Sequence, residues 1–267
     1  MVTVKADPAH GGRWTSLRSV GRVGDGRSGD GRGGDGRGGD GRDWLWHRVE
    51  PARLTAQPGD PFADAGGVEE CIPTVRGKPD HGEAWSRRWL SLGPEAARVD
   101  ADEFTLYRIF RQEGDALVAA YRLSAAPGWP FVWAAHALLD LSPAAVLEAP
   151  AGTVTRLDDG SVAAWPTALA SLGPDDGSAT GAILIDCPQV TVADGERLTF
   201  TLEAPGQPVS VALWRNLRGW PATGPYRSIG VEPMLGRVFD RSEAGPGDAA
   251  IMPPSGVLEW QLRVTAS

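Results

Sequence analysis

Apolar residues in this chain recur at every second position, and that period dictates which folds are open to it. Near the C-terminus Leu258, Trp260, Leu262 and Val264 alternate with Glu259, Gln261, Arg263 and Thr265. Leu117, Ala119, Tyr121 and Leu123 form a second such row; Leu198, Phe200 and Leu202 a third; Val209, Val211 and Leu213 a fourth. Successive side chains of an extended strand point to opposite faces, so each row reads as the buried face of a half-buried strand. Turn pairs separate the rows: Gly114-Asp115, Asp159-Gly160, Asp194-Gly195 and Pro205-Gly206. No segment carries a sustained helical stripe, and only short pieces such as SPAAVLEA (142–149) suit a helix. Many short strands between Gly and Pro turns predict an all-β antiparallel sandwich or barrel. No shift of composition marks a boundary, so residues 1–267 read as one domain.

One stretch interrupts the pattern. Residues 24–43, GDGRSGDGRGGDGRGGDGRD, repeat every five positions. A calcium-binding β-helix repeats every nine as GGxGxDxUx, and the window Gly38–Trp46 fits that form once. A single match at the wrong period favours a flexible surface loop, because glycine loses much backbone entropy on ordering and buries no side chain. The flanking GGRWTSL and DWLWHRV are expected to be strands that this loop joins.

The charge balance is −8, which disfavours nucleic acid and an acidic membrane surface as partners. The only cysteines, Cys71 and Cys187, have no metal-ligand spacing, so neither a zinc site nor a disulfide framework is expected. With an N-terminus lacking a signal-peptide core and no apolar run of about 18–20 residues, a cytoplasmic protein is expected, monomeric or homodimeric. GxSxG, Walker A, HExxH and a helix-opening GxGxxG are all missing, which argues against the common hydrolases, NTPases, zincins and dinucleotide enzymes.

Three of the titratable residues sit in unusual settings. His81, one of four histidines, lies in PDHGEAWSRRW between Pro79 and Gly82, a loop shaped to hold a side chain toward a cleft. His136 falls in the apolar run PFVWAAHALLDL, where an unpaired imidazole would cost ~1–3 kcal/mol. Glu232 sits in SIGVEPMLGRVFD, its backbone held extended by Pro233. Taken singly, each also reads as an ordinary residue: a surface histidine, a satisfied core histidine, a solvated glutamate. Of the 11 tryptophans, most are expected in the core, but Trp85, Trp89 and Trp133 lie beside these polar clusters, where an aromatic face suits a sugar's C–H face.

Together PDHGEAW, the W-x-x-H of Trp133–His136 and GVEPMLGRVFD resemble the aldose 1-epimerase (galactose mutarotase-like) family, in that family's order. The likeness runs from about residue 11 to the C-terminus, around the Gly-Asp-Gly-Arg insertion. It implies a large antiparallel β-sandwich with an open sugar cleft and no metal or cofactor. It would make Glu232 the general base on the anomeric hydroxyl, and His136 the general acid on the ring oxygen from the opposite side. His81 would polarise the sugar near that oxygen. Asp240, Arg88 and Trp133 would bind the substrate. Glutamate at ~4.3 and histidine at ~6.5 supply the two protonation states with little tuning. The histidine motif departs from the family in lacking an Asn-rich lead-in, and no clean match exists for an upstream arginine, for which Arg76, Arg87 and Arg88 are substitutes. Two other functions fit the same residues. A hexose-phosphate 1-epimerase would use Arg76, Lys78, Arg87 and Arg88 on a phosphate. A non-catalytic carbohydrate-binding module would keep the aromatics without needing the histidines and Glu232 to converge.

Overall fold

The computed structural model of the chain describes residues 1–20 and 41–267. Most of the 24–43 repeat, and the start of the Gly38–Trp46 window, lie outside the described residues. Arg42–Asp43 pairs with the strand Arg13–Ser19, whereas Leu45 and His47 make only isolated bridges.

Among the described residues two large antiparallel sheets face each other. The ten-stranded sheet runs in space as Val2–Asp7, Arg13–Ser19, Gly67–Cys71, Trp133–Leu139, Arg227–Leu235, Val209–Leu217, Ala179–Leu184, Val154–Leu157 and Val162–Ala164, with Arg42–Asp43 paired to the second. The eight-stranded sheet contains the alternating runs Ala116–Ala125, Glu196–Glu203 and Val257–Ala266. The alternation behaves as the sequence predicts. Leu258, Trp260, Leu262 and Val264 enter the core with Leu117, Leu123, Leu198 and Phe200, while Glu259 stays exposed. Burial of these apolar faces is the main force joining the sheets.

SPAAVLEA does not form the expected helix. Val146–Glu148 is a short strand paired with Thr191–Ala193, not a helical turn. A β-branched valine beside an open sheet edge gains more from pairing than so short a helix gains from nucleating alone.

The ten-stranded sheet uses both faces. One face carries Trp133, Ala135, Ala137, Ile229 and Val231 into the main core. The other bears a smaller apolar cluster of Cys71, Val132, Ala134, Ala212 and Met234. On that second face, the middle strands bring the polar residues together.

Candidate active site

Register builds the centre of the site. His136 lies opposite Glu69 on the strand Gly67–Cys71. On its other side, the pairs Ala134↔Met234 and Leu138↔Gly230 place Glu232 across from it. A histidine therefore stands between two carboxylates in a row that crosses three adjacent strands. The two carboxylates are treated differently. Glu69 accepts from both Nε and NH2 of Arg53, at 2.8 and 2.9 Å, in a buried bidentate pair. Glu232 has no hydrogen-bond donor among the described residues; its near neighbour is His136, with Nε2 3.6 Å from Oε1. Burial pushes the Glu232 carboxyl above the ordinary carboxylate range, and the charges of His136 and Arg76 only partly oppose it. The carboxylate leans over Gly230, where an added Cβ would come within 2.3 Å of Oε1 and 3.0 Å of the Trp214 Cβ. The missing side chain gives Glu232 its place.

His81 arrives from a loop. Its φ of 59° is left-handed, a region non-glycine residues rarely occupy. The turn is held by His81 N donating to Val75 O at 2.9 Å and by Glu83 N donating to Ile72 O at 2.7 Å. Gly82 is required, because a Cβ there would lie 2.2 Å from the Ile72 carbonyl. This backbone brings the His81 ring edge-on to His136 at 4.9 Å. Nδ1 lies 3.0 Å from Asp80 Oδ1. Burial lowers the His81 pKa, with Asp80 opposing and His136 reinforcing. For Asp80 burial acts upward, but the hydrogen bond and charge of His81 outweigh it and hold the carboxyl low. A neutral imidazole that donates Nδ1–H to Asp80 keeps Nε2 as an acceptor.

The three residues with expected catalytic roles, Glu232, His136 and His81, are thus placed together, although the base and acid stand side by side rather than on opposite sides. The expected substrate-binding residues are not grouped in this way. Trp133 is fully buried on the core face, its indole donating to Glu70 Oε2 at 2.9 Å, so it points away from His136 and Glu232. Trp89 is buried as well, donating to the Ala84 carbonyl. Asp240 caps the short turn Arg241–Glu243, accepting from Ser242 N at 2.8 Å. Arg88 is exposed and forms no hydrogen bond or ion pair with the three. Of the basic residues, Arg76 bears on Glu232 electrostatically while pairing with Asp158 at 3.1 Å, and Arg87 pairs with Glu83 at 2.6 Å.

Several site residues had no signal in the sequence. Phe62 stacks flat on His81 at 3.6 Å between centroids and meets His136 edge-on at 5.7 Å. Asp64 accepts from Tyr226 Oη at 2.7 Å, and its charge is felt by both His81 and Glu232. Glu69 and Arg53 complete the row. Among the described residues, no group of three or more His, Cys, Asp or Glu is arranged to hold a metal ion.

No family model matches the chain, and no curated protein matches it. Solved structures do. A putative aldose 1-epimerase from Escherichia coli K12 superposes with a TM-score of 0.70 at 12% identity, covering 100% of this chain and 96% of that one. The Slr1438 protein from Synechocystis sp. PCC 6803 gives 0.69 at 15% identity, covering 100% and 92%. A galactose mutarotase-like protein from Lactobacillus casei ATCC 334 gives 0.61 at 14%, with both chains covered completely. Identities this low speak for the fold alone. The chain has the galactose mutarotase-like β-sandwich fold.

Proposed function

We propose that this chain interconverts the α and β anomers of an aldose by acid–base ring opening. The observation that carries the reading is a buried Glu232 carboxylate with no hydrogen-bond donor among the described residues, 3.6 Å from His136 Nε2. The anomeric hydroxyl and the ring oxygen are bonded to one carbon, so a base and an acid serving them belong within a few ångströms of each other. Glu232 takes the proton of the anomeric O–H, and that bond's electron pair forms the C1 carbonyl. The C1–O5 pair passes to the ring oxygen, which receives a proton from His136. Rotation about C1–C2 and the reverse transfers close the ring on the other face. His81 Nε2, kept as an acceptor by Asp80, orients a neighbouring sugar hydroxyl. Each proton transfer contributes on the order of 10²–10⁴-fold.

A phosphorylated substrate finds less support, since Arg76 and Arg87 are already paired with Asp158 and Glu83. A purely binding role would not call for a carboxylate left without a donor beside an imidazole. The test is anomer exchange across a panel of aldoses, by polarimetry or exchange NMR. Acceleration in the wild type, with a loss of roughly 10²–10⁴-fold in kcat/KM in Glu232→Gln, is expected; undiminished activity in that variant refutes the assignment.

A further inference from the structure

We propose that the hollow beside the His81–His136–Glu232 cluster is a second sugar subsite, and that the preferred substrate is the reducing end of a neutral disaccharide or longer glycan. The inference rests on the epimerase reading for the position of the reacting ring.

The hollow has a volume of about 500 Å³, within the ~300–1,000 Å³ of small-molecule sites. Neither histidine nor Glu232 lines it, yet it shares two walls with the cluster. Phe62 stacks on His81 and also borders the hollow. Asp64 borders it too, while its charge reaches His81 and Glu232. A ring held by the cluster is therefore adjacent to a compartment it does not fill.

The walls suit a sugar. Trp220 is 49% exposed, and no other tryptophan of the described residues is classed as exposed. Its ring neighbours, Trp214 and Tyr226, meet it at 81° and 72°, so no ring lies parallel against its face. An open indole face beside water is a platform for the C–H face of a pyranose. Tyr226 is itself occupied: Trp46 stacks on it at 5.3 Å, Arg48 lies 4.5 Å above the ring, and its hydroxyl holds Asp64. Asp64 is thereby a fixed acceptor for sugar hydroxyls. The charge of the lining settles the class of the second unit. Glu50, Asp60 and Asp64 face a single cation, Arg48, which already pairs with Glu50 at 3.4 Å. A phosphate or a uronate would meet net repulsion there; a neutral sugar would not.

The experiment compares kcat/KM for mutarotation of maltose, cellobiose and lactose with that of glucose, in the wild type and in Trp220→Ala. At least one disaccharide is expected to exceed glucose by about tenfold, and Trp220→Ala to cut that ratio about tenfold. Trp220→Phe, which keeps an aromatic face, should retain most of the preference. A wild-type ratio near one, or a preference that Trp220→Ala leaves in place, overturns the proposal. Failure of the epimerase reading shows itself separately, as no turnover of any aldose. Calorimetric titration with the same disaccharides then decides the subsite alone: binding weakened about tenfold by Trp220→Ala upholds it, and no binding overturns it. Near-UV circular dichroism checks that the half-exposed substitution leaves the fold intact.

Discussion

Glu70 and Glu232 belong to the same ten-stranded sheet and are withdrawn from water alike, at 0% and 3% exposure, but they face opposite sides of it. On the core side, Glu70 is met by four donors. Arg108 NH1, Tyr121 Oη and Trp133 Nε1 donate to it at 2.9, 2.8 and 2.9 Å, and Trp14 Nε1 lies at 3.3 Å. Because Arg108 and Tyr121 come from the eight-stranded sheet, this carboxylate ties the two layers together. On the opposite face, Glu232 has a histidine nearby and no donor among the described residues. The contrast teaches that burial alone does not mark a functional carboxylate. A buried charge answered by four donors is a structural tie; one left short of donors has its basicity raised, which suits it to accept a proton.

Exchanging each carboxylate for an amide separates the two roles most sharply. Glu232→Gln is expected to lose roughly 10²–10⁴-fold in kcat/KM. Its stability should move the other way. The folded-state pKa of Glu232 is raised, so the stability linked to its protonation is present below the unfolded value and lost as pH rises through the folded one. A neutral glutamine removes that loss, raising Tm at pH 7 by about 2–4 °C per kcal/mol recovered, with the gain shrinking in acid. For the wild type, the acid limb of the rate profile should lie above the ordinary carboxylate value of ~4.3, because the protonated base cannot accept. Glu70→Gln reverses the pattern. Arg108 is left as a buried charge without its partner, and denaturant unfolding should show a cost of about 3–5 kcal/mol. If instead Glu70→Gln kills turnover at full stability, the division between the faces is wrong.

A smaller effect is expected from Gly230→Ala, whose new Cβ displaces the Glu232 carboxylate without changing any charge. Misplacement by about 1 Å costs on the order of 10²-fold, so kcat should fall while the unfolding midpoint stays put; unchanged kcat would mean the carboxylate's place is not critical. Asp80→Asn should act most weakly. It removes the group that opposes the downward shift of His81, so a histidine pKa followed by NMR should fall further, with a rate loss of a few-fold. An upward move would show that Asp80 does not support the charged imidazole of His81.

The sandwich was legible because period-two alternation is a direct projection of strand geometry, and the Leu258 and Leu198 rows entered the core as read. The three central residues of the candidate site stood out through scarce histidines and a carboxylate beside proline. Trp133 shows where motif adjacency misleads. It precedes His136 by three positions, an odd number, so on one strand the two must face opposite sides. The same parity separates Glu69 from Glu70 in GVEEC, sending one to Arg53 and the other to Arg108. Phe62, Asp64 and Trp220 were invisible because they come from loops, whose position over a sheet is fixed by tertiary contacts that no local period records.

The shortage of donors around Glu232 has an evolutionary corollary. In a sandwich locked from its far side, the chemical group is a burden on the scaffold, so its loss is one substitution away and energetically downhill. Under the proposed function, silent descendants of this chain should arise readily and persist, as sturdy shells free to adopt a partner in place of a reaction.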